Sequence, residues 1–108
     1  MSQITQQAKG THFRQLHQGP QVLMLPNAWD VGSALMLQHE GFPALATTSA
    51  GIAYAQGVPD HECLSRAQML DAVARIAARV TVPVTADLET GYGQRPEDVA
   101  DTIRQAIA

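Results

Sequence analysis

The feature that most constrains the fold is an alternation of short apolar segments with longer amphipathic ones. Three apolar segments, residues 21–25, 44–48 and 82–86, have the continuous character of buried strands. Amphipathic segments that predict helices surround them, at residues 4–18, 30–40, 65–80 and from 96 onward. Strands buried on both faces and separated by helices indicate a parallel sheet with right-handed crossovers. The order αβαβαβα therefore predicts an α/β fold.

Local signals set the expected ends of the helices. Asp30 and Ser65 are typical N-caps, and Gly41 is a typical stop after the second helix. Pro96 suits the first turn of the last helix. We expect residues 49–62 to form a long connection without regular structure. The inward face of the last helix is expected to carry its apolar side chains, Val99, Ile103, Ala106 and Ile107.

Two architectures fit this order of elements, a doubly wound sheet and part of a (β/α)₈ barrel. A complete barrel needs about 250 residues, and this chain has 108. A three-stranded parallel sheet with both edges exposed would be prone to pair with other chains. We therefore expect residues 1–108 to be a single partial barrel domain, the N-terminal part of a longer (β/α)₈ barrel. It would comprise three parallel βα units preceded by an N-terminal helix.

Composition excludes several classes of function. The net charge is −3 and no Lys/Arg cluster occurs, which argues against binding nucleic acid. No apolar run approaches the roughly 18 residues of a membrane span, and the N-terminus lacks the blocks of a signal peptide. The single cysteine, Cys63, cannot form an intrachain disulfide, and we expect it to be a small buried side chain. These features predict a cytoplasmic protein.

The strongest local indication of chemistry is the stretch from Ala86 to Gly93, where two carboxylates and a glycine-rich turn follow the third apolar segment. Residues i and i+2 of an extended chain point to the same side, so Asp87 and Glu89 are expected to converge. The carboxyl ends of strands are where α/β folds bind ligands. Hard oxygen ligands there suit Mg²⁺, which usually takes one or two carboxylates and keeps several waters.

Three segments together carry a family resemblance. They are Leu25-Pro26-Asn27-Ala28-Trp29-Asp30, the stretch from Thr47 to Asp60, and Ala86-Asp87-Leu88-Glu89-Thr90-Gly91-Tyr92-Gly93. In letters, order and spacing they resemble the isocitrate lyase/phosphoenolpyruvate mutase superfamily, over nearly the whole chain from residue 12 onward. The Asp-Leu-Glu form is similar to the phosphonomutase or oxaloacetate decarboxylase-like branch, whereas the better-studied members have Asp-x-Asp at this point.

The resemblance implies a (β/α)₈ barrel, usually a homo-oligomer, that acts on a small carboxylate. Asp87 matches the principal Mg²⁺ carboxylate, and Glu89 matches the second acid of the metal cluster, with Mn²⁺ as the alternative ion. Asp60 matches an acid on the loop after the second strand that also faces the active site. The turn formed by Thr48, Ser49 and Ala50 matches the group that holds the substrate carboxylate. We place Tyr92 in the substrate site as well, as a pocket wall or part of a lid.

The chain also departs from the family pattern. The lyases carry a catalytic cysteine in a Lys-x-Cys-Gly-His-type loop after the fourth strand, and no such segment occurs here. Cys63 lies elsewhere and does not match that residue. Ligands from the fourth to eighth strands are also missing. We therefore expect that this chain alone is not an efficient enzyme, although its parent type is one.

Three functions stay open at this point. The first is a Mg²⁺-dependent C–C lyase or decarboxylase that acts on a small α-keto or α-hydroxy carboxylate through an enolate. Mg²⁺ stabilises an enolate as a Lewis acid, and backbone N–H groups can bind the anionic oxygens. The second is a phosphonate-forming mutase. The third is a non-catalytic, truncated half-barrel that folds by associating with copies of itself.

Overall fold

A three-stranded parallel sheet and five helices make up the computed structural model, which describes residues 4–107. The strand order is β1-β2-β3, with Asn27 opposite Ala46 and Leu45 opposite Val84. This arrangement confirms the predicted α/β class with three parallel βα units after an N-terminal helix. The elements in chain order are α1 (Gln6–Leu16), β1 (Asn27–Ala28), α2 (Val31–His39), β2 (Leu45–Thr47), α3 (Ser49–Ala55), α4 (Arg66–Arg79), β3 (Val84–Thr85) and α5 (Pro96–Ile107).

The helix starts predicted at Asp30, Ser65 and Pro96 are confirmed, and the first two form reciprocal caps, whereas α1 begins at Gln6 rather than at residue 4. The Asp30 carboxylate accepts from the Ser33 N–H at 2.7 Å, while the Ser33 hydroxyl oxygen accepts from the Asp30 N–H at 3.2 Å. At the start of α4, Ser65 and Gln68 exchange the same pair of bonds at 3.1 and 2.9 Å. Each of these reciprocal caps, known as capping boxes, provides acceptors for backbone N–H groups that the first turn of a helix leaves without partners.

Two apolar clusters hold the elements together. The first packs the sheet against α2 and α4, through Ala28, Ala34, Leu45, Ile76 and Val80. The second lies beyond the carboxyl ends of the strands, between α3 and α4, and consists of Ile52, Ala53, Leu64 and Met69. Leu88 and Tyr92, from the segment after β3, pack against this second cluster. That contact anchors the acidic segment to the body of the protein.

The predicted first strand at residues 21–25 is wrong. The sheet begins later, where the Ala46 N–H donates to the Pro26 carbonyl at 2.9 Å and the Thr48 N–H donates to the Ala28 carbonyl at 3.0 Å. Val22 and Met24 are 89% and 66% exposed. Their apolar character predicted a buried strand, but the described residues place nothing over them.

Three further local predictions are wrong. The connection between β2 and α4 is not irregular, because the helix α3 occupies residues 49–55. Ile103 and Ile107 of α5 are 47% and 66% exposed, and the fully buried residue of that helix is Thr102. Cys63 is exposed, and its Sγ contacts the Asp60 carbonyl oxygen at 3.2 Å.

The outer strands β1 and β3 each pair with β2 alone within the described residues, so each has one unpaired edge there. A groove of about 360 Å³ runs along β3, lined by Phe13 of α1 and Ile103 of α5 among others. Lys9 of α1 ties that helix to the end of α4, since its Nζ donates to the Val80 carbonyl at 2.9 Å. Of the helices described between residues 4 and 107, none has the length and apolar character to cross a membrane.

Candidate active site

Asp87 lies just beyond the carboxyl end of β3, and residues of β2 and α3 fix its position. Its backbone N–H donates to the Thr47 hydroxyl at 3.0 Å. Its Oδ2 accepts from the Ser49 hydroxyl at 2.8 Å, and its Oδ1 accepts from the Glu89 N–H at 3.0 Å. Each carboxylate oxygen has a second lone pair, so this fixed and exposed carboxylate can still bind a cation.

The pKa of the Asp87 carboxyl lies below its usual value. Partial burial is the largest single influence and raises this pKa. The Glu89 N–H, together with the hydroxyl and N–H of Ser49, lowers it by more in sum, because these donors stabilise the charged form. Asp87 is therefore an anion at neutral pH, which is the form that binds a metal ion.

Glu89 and Asp60 bring two carboxyl groups into contact at the same edge of the sheet. Glu89 Oε1 accepts from the Glu62 N–H at 3.3 Å, and its Oε2 accepts from the Tyr92 hydroxyl at 3.2 Å. Asp60 Oδ1 is buried and has no hydrogen-bond partner among the described residues. Such an oxygen beside a second carboxyl is unfavourable unless a proton or a cation lies near it.

The surroundings of Glu89 and Tyr92 change the pKa of each of these two groups. Burial, followed by the neighbouring Asp60 carboxyl, raises the pKa of Glu89. Burial and the negative charge of Glu89 raise the pKa of Tyr92 above its usual range. Tyr92 therefore keeps its proton and remains a hydrogen-bond donor to Glu89 at any ordinary pH.

Residues 48–50, the predicted substrate turn, form the N-cap and first turn of α3. The Thr48 hydroxyl accepts from the Gly51 N–H at 3.1 Å and so caps the helix. Ser49 is buried and directs its hydroxyl and its N–H to Asp87. Both hydroxyls are therefore engaged within the protein, and Ala50 follows them in the same turn. A contact between this turn and a substrate stays a prediction.

The expectation that residues 87–89 form an extended segment is wrong. The ladder of β3 ends at Thr85, and Glu89 has a φ of +53°, in the left-handed region. Asp87 and Glu89 are joined through the Glu89 N–H, while their side chains bond to different partners. The two acids nevertheless lie at one edge of the sheet, because both directly follow β3.

Two residues of this region were missed from the sequence. Thr102 is fully buried in α5, and its hydroxyl donates to the Gly91 carbonyl at 2.6 Å, which holds the turn after β3. The available signal was a single hydroxyl within the apolar stripe of that helix. Glu62 bonds to both Thr90 and Tyr92 through its carboxylate. No motif marks it, since the partners lie about 30 residues away.

The residues of this edge fit a hard divalent cation in part. In the described range, no three His, Cys, Asp or Glu side chains are grouped as a metal ion requires. The chain instead offers Asp87 and Glu89, together with Asp60, whose side chain contacts Glu89 and whose Oδ1 has no hydrogen-bond partner in the part of the chain that is described. Mg²⁺ commonly binds through one or two carboxylates and fills its remaining positions with water and substrate oxygens. The donor chemistry therefore fits Mg²⁺ or Mn²⁺.

Similarity to known proteins identifies the family of the chain. The family model for phosphoenolpyruvate phosphomutase matches residues 13–108, so the chain belongs to that family, within the PEP mutase/isocitrate lyase superfamily. An uncharacterised protein of Mycobacterium tuberculosis is 40% identical over 93 residues, which are 86% of this chain and 36% of that protein. The 2-methylisocitrate lyase of Shewanella oneidensis is 32% identical over 92% of this chain and 34% of its own length.

Solved structures agree with this assignment. A Burkholderia cenocepacia J2315 protein, provisionally named a phosphonomutase, is 49% identical with a TM-score of 0.88, over 92% of this chain and 40% of that one. An oxaloacetate acetylhydrolase is 30% identical with a TM-score of 0.84, over 92% of this chain and 36% of its own. The chain spans about a third of the length of the curated relatives it matches. Its fold is the three-unit N-terminal part of a (β/α)₈ barrel.

Proposed function

We propose that the protein is a metal-dependent lyase or decarboxylase that breaks a C–C bond of a small α-keto or α-hydroxy carboxylate through an enolate. One observation carries the proposal: Asp87 is held as an anion at the carboxyl end of β3, beside the paired carboxyls of Glu89 and Asp60. Lyases of small carboxylates among the relatives support the same class of reaction.

In this proposal Asp87 and Glu89 are the residues that would bind Mg²⁺ or Mn²⁺. When bound, the ion supplies a Lewis acid that stabilises the negative charge developing on the substrate oxygens. Ser49 orients the Asp87 carboxylate through its hydroxyl, and Tyr92 orients Glu89 through its own. Asp60 completes the acidic edge, and we place it among the catalytic groups because its buried Oδ1 has no hydrogen-bond partner within residues 4–107.

We propose that the first turn of α3 binds the substrate carboxylate. The hydroxyls of Thr48 and Ser49 are occupied by Gly51 and Asp87, so the backbone N–H of Ala50 is the donor that we expect to contact the substrate. Backbone donors fixed in this way need no reorganisation during the reaction. The ring of Tyr92, packed on the second apolar cluster, would form a wall of the site and exclude water.

The proposal is tested first by metal binding. Mn²⁺ titrated into the chain and followed by electron paramagnetic resonance should bind, and D87N should abolish binding. D71N is the matched control, because Asp71 lies on the exposed face of α4 and pairs with Arg75. Equal Mn²⁺ affinity in D87N and the unsubstituted chain would refute the assignment of Asp87.

Turnover distinguishes the reactions. Oxaloacetate and alkylmalates are offered with Mg²⁺, and release of pyruvate or another keto acid is expected. The family match to phosphoenolpyruvate phosphomutase favours one second candidate, a phosphonate-forming mutase, which would interconvert phosphonopyruvate and phosphoenolpyruvate in a ³¹P spectrum. Metal binding without turnover of any of these compounds would favour the non-catalytic half-barrel. Self-association of the chain stays a prediction for light scattering.

A further inference from the structure

We propose that Glu62 is a positioning residue that sets the place of the Glu89 carboxylate, an inference that rests on the proposed metal site at Asp87 and Glu89. Glu62 lies in the loop between α3 and α4, and its partners lie in the segment after β3. It joins the two loops that supply the acidic groups of the site.

The side chain of Glu62 binds the turn after β3 at three points. Its Oε1 accepts from the Thr90 hydroxyl at 2.6 Å and from the backbone N–H groups of Thr90 and Tyr92, each at 3.2 Å. Three donors on one carboxylate oxygen hold the turn firmly, since hydrogen bonds to a charged acceptor are the stronger kind. The Glu62 side chain is thus engaged by protein donors.

Both oxygens of Glu89 depend on Glu62. Glu89 Oε1 accepts directly from the Glu62 N–H at 3.3 Å. Glu89 Oε2 accepts from the Tyr92 hydroxyl at 3.2 Å, and Tyr92 is itself held by the bond from its N–H to Glu62. The bonds form a closed ring from Glu62 to Tyr92 to Glu89 and back. Loss of the Glu62 side chain opens that ring, because Tyr92 loses the bond from its N–H that holds it in place, and the donor to Glu89 Oε2 is then no longer fixed. The Glu62 N–H still donates to Glu89 Oε1.

Backbone strain points to the same two loops. The non-glycine residues with positive φ in the described chain are His61, Glu62, Glu89 and Tyr92, at 71°, 60°, 53° and 62°. Each such conformation is unfavourable for a residue that carries a side chain, and it persists only where surrounding contacts enforce it. Three of the four residues are the members of the ring described above, so its bonds are the contacts that maintain the strain.

Four forms of the chain test this inference alongside the unsubstituted one. E62A removes the carboxylate. E62Q keeps an acceptor oxygen for Thr90 and Tyr92 and should restore part of the Mn²⁺ affinity that E62A loses. T90V removes only the shortest bond, at an exposed residue whose change does not endanger folding. E40A is the matched control, because Glu40 is exposed and follows α2, at the opposite end of the sheet.

The measurements are Mn²⁺ affinity by electron paramagnetic resonance and hydrogen exchange of the Thr90 and Tyr92 amides by NMR. We expect E62A to weaken Mn²⁺ binding about 10- to 100-fold, the usual cost of losing a residue that orients a ligand. Both amides should lose protection in E62A. T90V and E62Q should show smaller losses of affinity than E62A, since E62Q keeps the acceptor oxygen without its charge. E40A should resemble the unsubstituted chain.

The outcomes separate the inference from the function on which it rests. If the unsubstituted chain does not bind Mn²⁺, the proposed function fails and the inference fails with it. If D87N abolishes Mn²⁺ binding but E62A and T90V bind Mn²⁺ as tightly as the unsubstituted chain does, only the inference is overturned. An E62Q variant as weak as E62A would also overturn it, because the charge rather than the acceptor oxygen would then matter.

Discussion

Replacing Gly51 by alanine should destabilise the protein, although alanine is the better helix former. Gly51 lies in the first turn of α3, where an added Cβ would come within 2.6 Å of Thr48 Cγ2 and 2.9 Å of Trp29 Cβ. The Trp29 atom lies next to the backbone and cannot swing away. Thr48 can rotate, but rotation would remove its hydroxyl from the Gly51 N–H, which it caps at 3.1 Å.

The expected magnitude follows from these contacts. Overpacking costs about 1–3 kcal/mol, and loss of an N-cap costs about 1 kcal/mol. The greater helix propensity of alanine returns about 1 kcal/mol. The net loss for G51A is therefore about 1–3 kcal/mol of unfolding free energy. The matched control is G10A in α1, where no atom of the described residues lies within 4 Å of the new Cβ and about 1 kcal/mol of stabilisation is expected.

Urea unfolding followed by circular dichroism and by the fluorescence of Trp29, the one tryptophan in the chain, measures both changes. The double variant T48S/G51A sharpens the test, because serine keeps the capping oxygen and lacks the methyl group at 2.6 Å. It should recover part of the loss, as a positive coupling in a double-mutant cycle. A G51A variant as stable as the unsubstituted chain would refute the reasoning.

Two further predictions concern α5. T102V should lower the unfolding free energy by about 1–3 kcal/mol, because the buried Gly91 carbonyl loses the hydroxyl that donates to it at 2.6 Å. T102S keeps a hydroxyl and should lose less stability. Equal stability of T102V and the unsubstituted chain in urea would contradict this prediction. Hydrogen bonds from Arg95 hold the pKa of Asp98 below its usual value, so the stabilisation by Asp98 is complete above the unfolded pKa of about 3.9 and is lost as the pH falls through the lowered folded pKa. Acid titrations of unfolding free energy should therefore be flatter for D98N, and an unchanged slope would count against this bond.

The elements that sequence predicted well are those with local causes. Asp30 and Ser65 cap their helices through residues three positions away, and Pro96 starts α5. The misplaced first strand has a non-local cause, because apolar Val22 and Met24 are buried only if other elements cover them. Helix α3 was missed because it has only seven residues, of which three are alanine and one is glycine. So short a segment has too few large apolar side chains to show the helical period.

The position of Asp87 and Glu89 in the fold was predictable from the sequence, whereas their hydrogen bonds were not. The strand end and the glycine-rich turn located Asp87 and Glu89 correctly at one edge of the sheet. Glu89 is not extended as predicted, since its positive φ depends on contacts with Glu62 and Tyr92. Such contacts join segments about 30 residues apart, and no local pattern in the sequence encodes them.

The described bonds separate metal binding from turnover. Asp87 is fixed by Thr47 and Ser49, and Glu89 by Glu62 and Tyr92, all within the first three βα units. The groups proposed to hold the cation are therefore ordered without help from any further strand. Enclosure of a substrate has different requirements, because Asp87 is exposed and the site is open to solvent. Cation affinity should consequently respond to D87N and E62A in this chain even where turnover is low, which makes Mn²⁺ binding the more direct readout of the site.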